Sequence, residues 1–471
     1  MGPFQQQCSA AFGVTPEQTY AAVAFNSANY GDNKPGGSRI AFINGDIDPF
    51  HYGGVTKNSS ALLAQDITAY MVAGGSHCAD MGSLDPERDS PSMASVKRSK
   101  AAAIERWLAE EPAGDLSGAD VARGGTKGSE ALDTAATAAA RVKTDDSETD
   151  KVDNPDVGSS TSIDVELQQQ QQQLQRHFQQ PRRVPEFPIA PTGVRTQEWM
   201  RHVGTQNCTW RNISQPIDHF GSPKGTYEER YCIYDQFYDK SKPAGPIVGN
   251  ESPVTLYINA SGLMWEHGKE LNAVLVWAEH RFEGTSFPNL TSVPDCAVAG
   301  TSAQALADYI ALIKMLKDEY GGPGMPVIAF GGSYGGMLAA WIRIRYPKII
   351  TGAIAASAPV ITKNTTTKDV LQGGFYAISR GMEDKADGIG VAGKHCFSNY
   401  RASQVLLPIL ARNDFAMAEM AKGVRMCAGH PAQKTISPSQ ILGKIHAPMF
   451  GFGEANYPFP QLYRDFAIVR P

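Results

Sequence analysis

The stretch Ala329-Phe330-Gly331-Gly332-Ser333-Tyr334-Gly335-Gly336 has the form G-x-S-x-G, between an apolar run from Val327 to Phe330 and the segment Met337-Leu338-Ala339-Ala340-Trp341-Ile342. The run before it reads as a strand and the segment after it as a helix. Small residues on both sides of Ser333 let the backbone close into a sharp strand-to-helix turn that presents the hydroxyl. Ser333 is therefore the first candidate nucleophile. Its hydroxyl needs a base to take the proton, a carboxylate to orient that base, and backbone N–H groups to receive an oxyanion.

Upstream of the turn, Ala273-Val274-Leu275-Val276-Trp277-Ala278 is a continuous apolar run, as expected for a strand buried on both faces of a parallel sheet, and Glu279-His280-Arg281 stands at its end. Thr301 is placed to cap a helix whose apolar residues Leu306, Tyr309, Ile310, Ile313 and Leu316 repeat at helical spacing. Downstream, the helix after Ser333 runs up to Pro347, and Ile349 to Ala356 reads as another strand. This alternation predicts a doubly wound, mostly parallel sheet, and with the serine turn the expected fold class is α/β, an α/β-hydrolase. After Pro359 the pattern turns to helical pieces without strand runs, which predicts a helical cap over the site.

Residues 1–112 read as globular. Ser38 to Ile43 is a strand pattern leading into the turn-rich loop Asn44-Gly45-Asp46-Ile47-Asp48-Pro49-Phe50. Ile67 to Ala73 is a second apolar run, ending at Gly74-Gly75-Ser76-His77-Cys78-Ala79-Asp80-Met81. Loops at the carboxyl ends of strands are where open α/β sheets build their sites, and one of these carries acids and the other a histidine. Ser95 to Leu108 reads as a surface helix with apolar residues at Ala102, Ile104 and Leu108. From 113 to 190, small residues, an acidic mix and the tract Gln168 to Gln173 leave little to bury, which predicts a disordered tether. Order is expected again near Gln197, with strands between Tyr227 and Phe237. The expected organisation is 1–112, a linker at 113–190, an α/β part at 191–360 carrying the serine turn, and an incomplete helical cap at 361–471.

The 471 residues suffice for a large core, and 42% hydrophobic against 19% charged residues is ordinary for a globular protein. A net charge of -5 gives no basic footprint, so nucleic acid is not an expected partner. No apolar run is long enough to span a bilayer. Met1-Gly2-Pro3-Phe4-Gln5-Gln6-Gln7-Cys8 has neither a basic nor an apolar leader region, so no secretory signal is read there. Sequons nevertheless begin at Asn58, Asn207, Asn212, Asn250, Asn259, Asn289 and Asn364, a density that suits a glycoprotein of the secretory pathway. Seven cysteines without C-x-x-C pairs argue against zinc and fit a few disulfides plus one orphan.

Gly331 to Trp341, Ala278-Glu279-His280-Arg281, Gly262-Leu263-Met264-Trp265 and Gln215-Pro216-Ile217-Asp218-His219-Phe220 together resemble the lysosomal prolyl carboxypeptidase and dipeptidyl peptidase II family of serine peptidases, in the family's order. Residues 1–112 resemble the C-terminal end of the same family: the loop through Asp48-Pro49 matches the one bearing the triad aspartate, and Gly75-Ser76-His77 the one bearing the triad histidine. The chain thus looks like the tail of one peptidase unit, a linker and the head of a second, with its triad candidates ordered Asp48, His77, Ser333.

The resemblance implies Ser333 as nucleophile, His77 as general base and Asp48 as the group that orients it. Asp46 is the rival of Asp48, but the family's aspartate directly precedes proline. Cys78 stands where some members carry a second histidine. A metal reading of Asp48, His77, Cys78 and Asp80 fits no zinc spacing, so no metal is expected, and a triad needs no cofactor. The N–H of Tyr334 is the first oxyanion donor by the geometry of the turn. The second is expected from Gly249-Asn250-Glu251, which resembles the family's glycine-rich loop. Here the chain departs from the pattern: Gly245-Pro246-Ile247-Val248 runs straight into Gly249 where members carry a full apolar strand, and one such donor is worth about 3 kcal/mol of transition-state stabilisation. Glu279 and Arg281 are candidates either to support the site or to form a structural ion pair.

Three organisations stay open: a fragment of a tandem peptidase, a permuted unit in which Asp48 and His77 complete the site of Ser333, and a pseudo-enzyme that binds peptides without catalysis. The expected partners are peptide substrates, with a homodimer left open. By resemblance, peptides would be cleaved next to proline in carboxypeptidase or dipeptidyl-peptidase mode, in a lysosomal or secreted setting.

Overall fold

In this computed structural model the described residues are 15–32, 34–87, 89–110, 203–221, 225–240, 254–290, 298–361 and single positions between 374 and 413. All of them belong to one of the two units into which the chain divides, Met1–Asp133 with Glu198–Pro471, and the other unit, Thr134–Gln197, contains none of them. The expected linker and most of the expected cap therefore lie outside the described residues.

The elements run in the order α1 (Pro16–Tyr30), β1 (Ile40–Gly45), α2 (Ser60–Ala64), β2 (Ile67–Val72), α3 (Pro91–Ala109), β3 (Thr209–Pro216), β4 (Thr226–Tyr234), α4 (Val254–Ala260), α5 (Gly262–Gly268), β5 (Leu275–Ala278), α6 (Ser302–Tyr320), β6 (Ile328–Gly332), α7 (Ser333–Arg345) and β7 (Gly352–Ala356). Caps fix several starts. The hydroxyls of Ser59, Ser90 and Thr301 accept from the N–H groups of Leu62, Met93 and Gln304, each satisfying a donor that the first helical turn leaves open.

Four strands form a parallel sheet in the order β2-β1-β7-β6. β1 lies between β2 and β7, with Phe42 opposite Ala69 on one side and Ala355 on the other. Strands from the first and last described segments thus share one sheet. All six residues of β1 are buried, and they alternate between two cores: Ile40 and Phe42 join Leu338, Trp341 and Ala353, while Ala41 and Ile43 join Ile104, Trp107 and Ile354. Period-two alternation of apolar residues from Ile40 to Ile43 is what a sheet covered by helices on both faces requires. The one polar residue of the strand, Asn44, is buried with its amide donating to the Val55 carbonyl at 2.9 Å. On one face Tyr30 of α1 stacks on Trp341 of α7, with ring centroids 4.7 Å apart. On the other, Trp107 of α3 lies over Gly352, where a Cβ would come within 2.3 Å of the indole.

The helix expected at Ser95 to Leu108 as a surface element is longer and more buried. α3 starts at Pro91, and Met93, Val96, Ala103, Ile104 and Trp107 face inward. Two lysines turn inward with them: Lys97 Nζ donates to Asp89 at 2.8 Å, and Lys100 Nζ to Asp80 at 2.6 Å. The charges at 97 and 100 hid the stripe from the sequence reading.

A second sheet, β3-β4-β5, is antiparallel. The run Ala273 to Ala278 was expected in a parallel sheet. Its strand β5 is fully buried, but it pairs antiparallel with β4, Tyr231 opposite Ala278 and Cys232 opposite Trp277. A continuous apolar run reports burial on both faces and carries no information on direction. A disulfide joins Cys208, just before β3, to Cys232 on β4, and Cys78 is free. β5 and β6 are the facing ends of the two sheets: Ala273, Leu275, Ile328 and Phe330 line one apolar cavity, and no strand joins them among the described residues.

Candidate active site

β6 passes directly into α7 at Ser333, which takes φ +56 in the left-handed region. A non-glycine residue held there stores strain, as nucleophile turns do. The flanking glycines are required by close approach: a Cβ at Gly331 would lie 1.9 Å from the carbonyl oxygen of Gly335, and one at Gly336 would lie 2.7 Å from that of Ala356. The N–H of Tyr334 stands in the first turn of α7, at the positive end of the helix.

The loops after β1 and β2 reach the same edge of the sheet, because β2, β1, β7 and β6 all run parallel. Asp48 is completely buried. Its Oδ1 accepts from the N–H of Phe50 at 2.8 Å, which holds the loop in an Asx turn. The Nδ1 of His77 donates to both carboxylate oxygens of Asp48, at 3.1 and 3.0 Å. That bond sets the tautomer, and a side-chain hydrogen bond also links His77 to Cys78. Burial works against the imidazolium of His77, whereas a Cys78 thiolate and the Asp48 carboxylate favour it. Because burial raises the Cys78 thiol, that thiolate is not present at neutral pH, and Asp48 is the charge that acts on His77 there. The rival, Asp46, is engaged elsewhere: its Oδ1 accepts from the N–H of Gly74 at 2.6 Å and so anchors the start of the histidine loop.

The end of that loop reaches across β7. Cys78 has φ +55, and its N–H donates to the Ser357 hydroxyl at 2.9 Å. Its sulfur lies against Gly332, where a Cβ would come within 2.7 Å. The residue after His77 therefore touches the residue before Ser333. Asp80 turns away to Lys100 and takes no part.

Glu279 and Arg281 are framework groups. Glu279 accepts from Arg230 at 2.5 Å and from Thr285 and Ser286, and Arg281 donates to Asp308 at 2.6 Å and to the carbonyls of Ile217 and Ala299. The residue between them is the one that reaches the serine turn. His280 Nδ1 donates to the Arg281 carbonyl at 2.6 Å, so its Nε2 accepts from the Tyr334 hydroxyl at 3.2 Å. Burial keeps His280 below the ordinary histidine range and hence neutral at pH 7, consistent with an accepting Nε2. Asn250, expected beside the second oxyanion donor, lies outside the described residues, as does Asn364. Of the other sequons, Asn58, Asn212, Asn259 and Asn289 are exposed and Asn207 is half-buried.

Sequence reasoning passed over His280 and Ser357. The signal for His280 was its place inside Glu279-His280-Arg281 at a strand end. That for Ser357 was a polar residue closing the apolar strand Gly352–Ala356.

A family model described as Serine carboxypeptidase S28 matches residues 1–100 and 215–372, more than half of the chain. The chain belongs to that family. Its relatives include Lysosomal Pro-X carboxypeptidase of Mus musculus, 33% identical over 255 residues that make up 52% of this chain and 49% of the relative. The Homo sapiens protein of the same name is 46% identical over 156 residues, 31% of either chain. Prolyl carboxy peptidase like protein 5 of Caenorhabditis elegans is 41% identical over 191 residues, 39% of this chain and 37% of the relative. The chain spans about half the length, or less, of the curated relatives it matches. A solved carboxyl esterase from Bacillus coagulans overlaps 31% of this chain and 44% of its own at 16% identity and a TM-score of 0.21. The α/β-hydrolase fold rests instead on the parallel sheet, the serine turn and the family.

Proposed function

We propose that this protein is a serine-type exopeptidase that hydrolyses peptides next to proline through an acyl-enzyme. The observation that carries this reading is the buried Asp48–His77 pair at the sheet edge where the serine turn stands, with Cys78 against Gly332. In the reaction, Ser333 Oγ attacks the scissile carbonyl as His77 Nε2 takes its proton. Asp48 stabilises the imidazolium that forms, and the N–H of Tyr334 receives the oxyanion. His77 then returns the proton to the leaving amine, and water repeats the cycle to free the acyl group. The second oxyanion donor is assigned to Gly249-Asn250-Glu251 from the family resemblance. An oxidising compartment, lysosomal or secreted, is supported by the Cys208–Cys232 disulfide and the exposed sequons.

The test is labelling by a fluorophosphonate probe, with hydrolysis of an N-blocked Pro-Xaa dipeptide and of an Xaa-Pro amide to separate the carboxypeptidase from the dipeptidyl-peptidase mode. Labelling is expected in the parent chain and lost in Ser333→Ala, with His77→Ala reducing it strongly. Labelling that survives Ser333→Ala would overturn the assignment. A second reading, peptide binding without catalysis, draws on the apolar cavity that Leu275 of β5 and Ile328 and Phe330 of β6 line. It predicts no labelling together with retained peptide affinity.

A further inference from the structure

Ser357 closes β7, between the strand that leads to Asp48 and the strand that leads to Ser333. It is 2% exposed and takes φ +47, a conformation that glycine adopts freely and serine does not. Its N–H donates to the carbonyl of Ile43 on β1 at 2.6 Å. Its hydroxyl accepts the N–H of Cys78 at 2.9 Å, and Cys78 is itself in the left-handed region. Two strained residues thus meet in one hydrogen bond immediately after His77. The backbone geometry at 357 asks for glycine, and what serine adds is an acceptor. The histidine loop is held at its start by Asp46 on the N–H of Gly74, and at its end by Ser357 on the N–H of Cys78. A peptide unit pinned on the far side of His77 limits how the imidazole can swing about its bond to Asp48.

We propose that Ser357 is a positioning residue for the peptidase reaction: its hydroxyl fixes the backbone at Cys78 and thereby aims the imidazole of His77 at Ser333. This rests on the triad reading above. The hydroxyl takes no part in the chemistry and acts only through the loop. Because Cys78 also touches Gly332, loss of the bond frees the loop end against the serine turn.

Ser357→Gly is the decisive variant, since it removes the hydroxyl and relieves the strained φ. Ser357→Ala removes the hydroxyl and keeps the strain. In Ser357→Gly, kcat for peptide hydrolysis is expected to fall by about 10- to 100-fold with KM little changed, because a misplaced base slows the chemical step. The melting temperature is expected to stay at or above that of the parent, and the basic group in the pH–rate profile to shift. A Ser357→Gly protein that keeps the parent's kcat while Ser357→Ala alone loses activity would show a purely structural role and overturn the proposal. Should the parent chain take up no fluorophosphonate at all, the triad reading fails, and His77 decides the positioning claim separately. NMR titration of 13C-labelled histidine is then expected to show an altered His77 resonance and midpoint in Ser357→Gly, and identical titrations would overturn it.

Discussion

Replacing Gly352 with alanine drives a methyl group into the indole of Trp107, because the Cβ would lie 2.3 Å from Cε3 and 2.9 Å from Cδ2. The ring has little room to yield: it is 1% exposed, and its Nε1 donates to Asp66 at 2.6 Å. Overpacking of this kind costs about 1–3 kcal/mol. Trp107→Ala removes the ring and should cost about 3–5 kcal/mol, with about 1 kcal/mol more for the bond to Asp66. In the Trp107→Ala background the alanine methyl enters vacated space, and alanine is intrinsically favoured over glycine in a strand by about 0.5–1 kcal/mol. Gly352→Ala should then be neutral or slightly stabilising. The cycle therefore predicts a coupling of about 1–3 kcal/mol, with the double variant no less stable than Trp107→Ala. Urea unfolding of the four proteins followed by far-ultraviolet circular dichroism measures it. Additive costs would refute the packing of α3 over β7, and with it the joining of the first and last segments into one sheet.

Three further outcomes follow. Asp48→Asn should lower kcat for peptide hydrolysis by about 10³–10⁴-fold, as loss of the triad carboxylate does elsewhere, while Asp46→Asn retains most activity; equal losses would reopen the choice between them. Glu229 is fully buried and accepts from Gln215 at 2.6 Å. Burial, then the Asp308 carboxylate, hold it well above the ordinary carboxylate range, so the fold favours the protonated acid. That contribution is complete below the unfolded value of about 4.3 and is lost as pH rises from there through the folded value. The melting temperature of the parent should accordingly decline relative to Glu229→Gln across that window, and a difference independent of pH would sink the idea. Lys100→Ala leaves the Asp80 carboxylate buried and unpaired and should cost about 3–5 kcal/mol, read as a fall in the urea midpoint; an unchanged midpoint would contradict the buried pair.

Much of the sheet was legible because β6, β7 and β1 spell burial and turn chemistry locally. The turn at Ser333 announces itself through glycines that the backbone cannot replace, and the loops of Asp48 and His77 through Gly45 and Gly75, where a Cβ at Gly45 would meet the Gly75 carbonyl oxygen at 2.0 Å. The direction of β5 was not legible, since pairing partners are set by tertiary neighbours and Leu275–Ala278 is apolar throughout. Nor was the inner face of α3, where Lys97 and Lys100 look like solvent residues until Asp89 and Asp80 are in place. His280 and Ser357 reach the site through side-chain hydrogen bonds to Tyr334 and Cys78, residues far along the chain, and such bonds leave no periodic trace.

The seat of β1 beside β7 also sets an order of events in folding. Joining β6 to β7 closes a short loop, whereas Arg343 and Ser38, which bond where β1 meets the later strands, are 305 residues apart. Closing that longer loop costs about 5 kcal/mol against about 3 for the shorter one. β6, α7 and β7 therefore assemble first, and the edge of β7, with Ala353, Ile354 and Ala355 unpaired, stays open until β1 arrives. During that interval the edge accepts β1 from any chain in the same register. Protein concentration during refolding thus sets the balance between chains closed on themselves and chains that have exchanged their first strands.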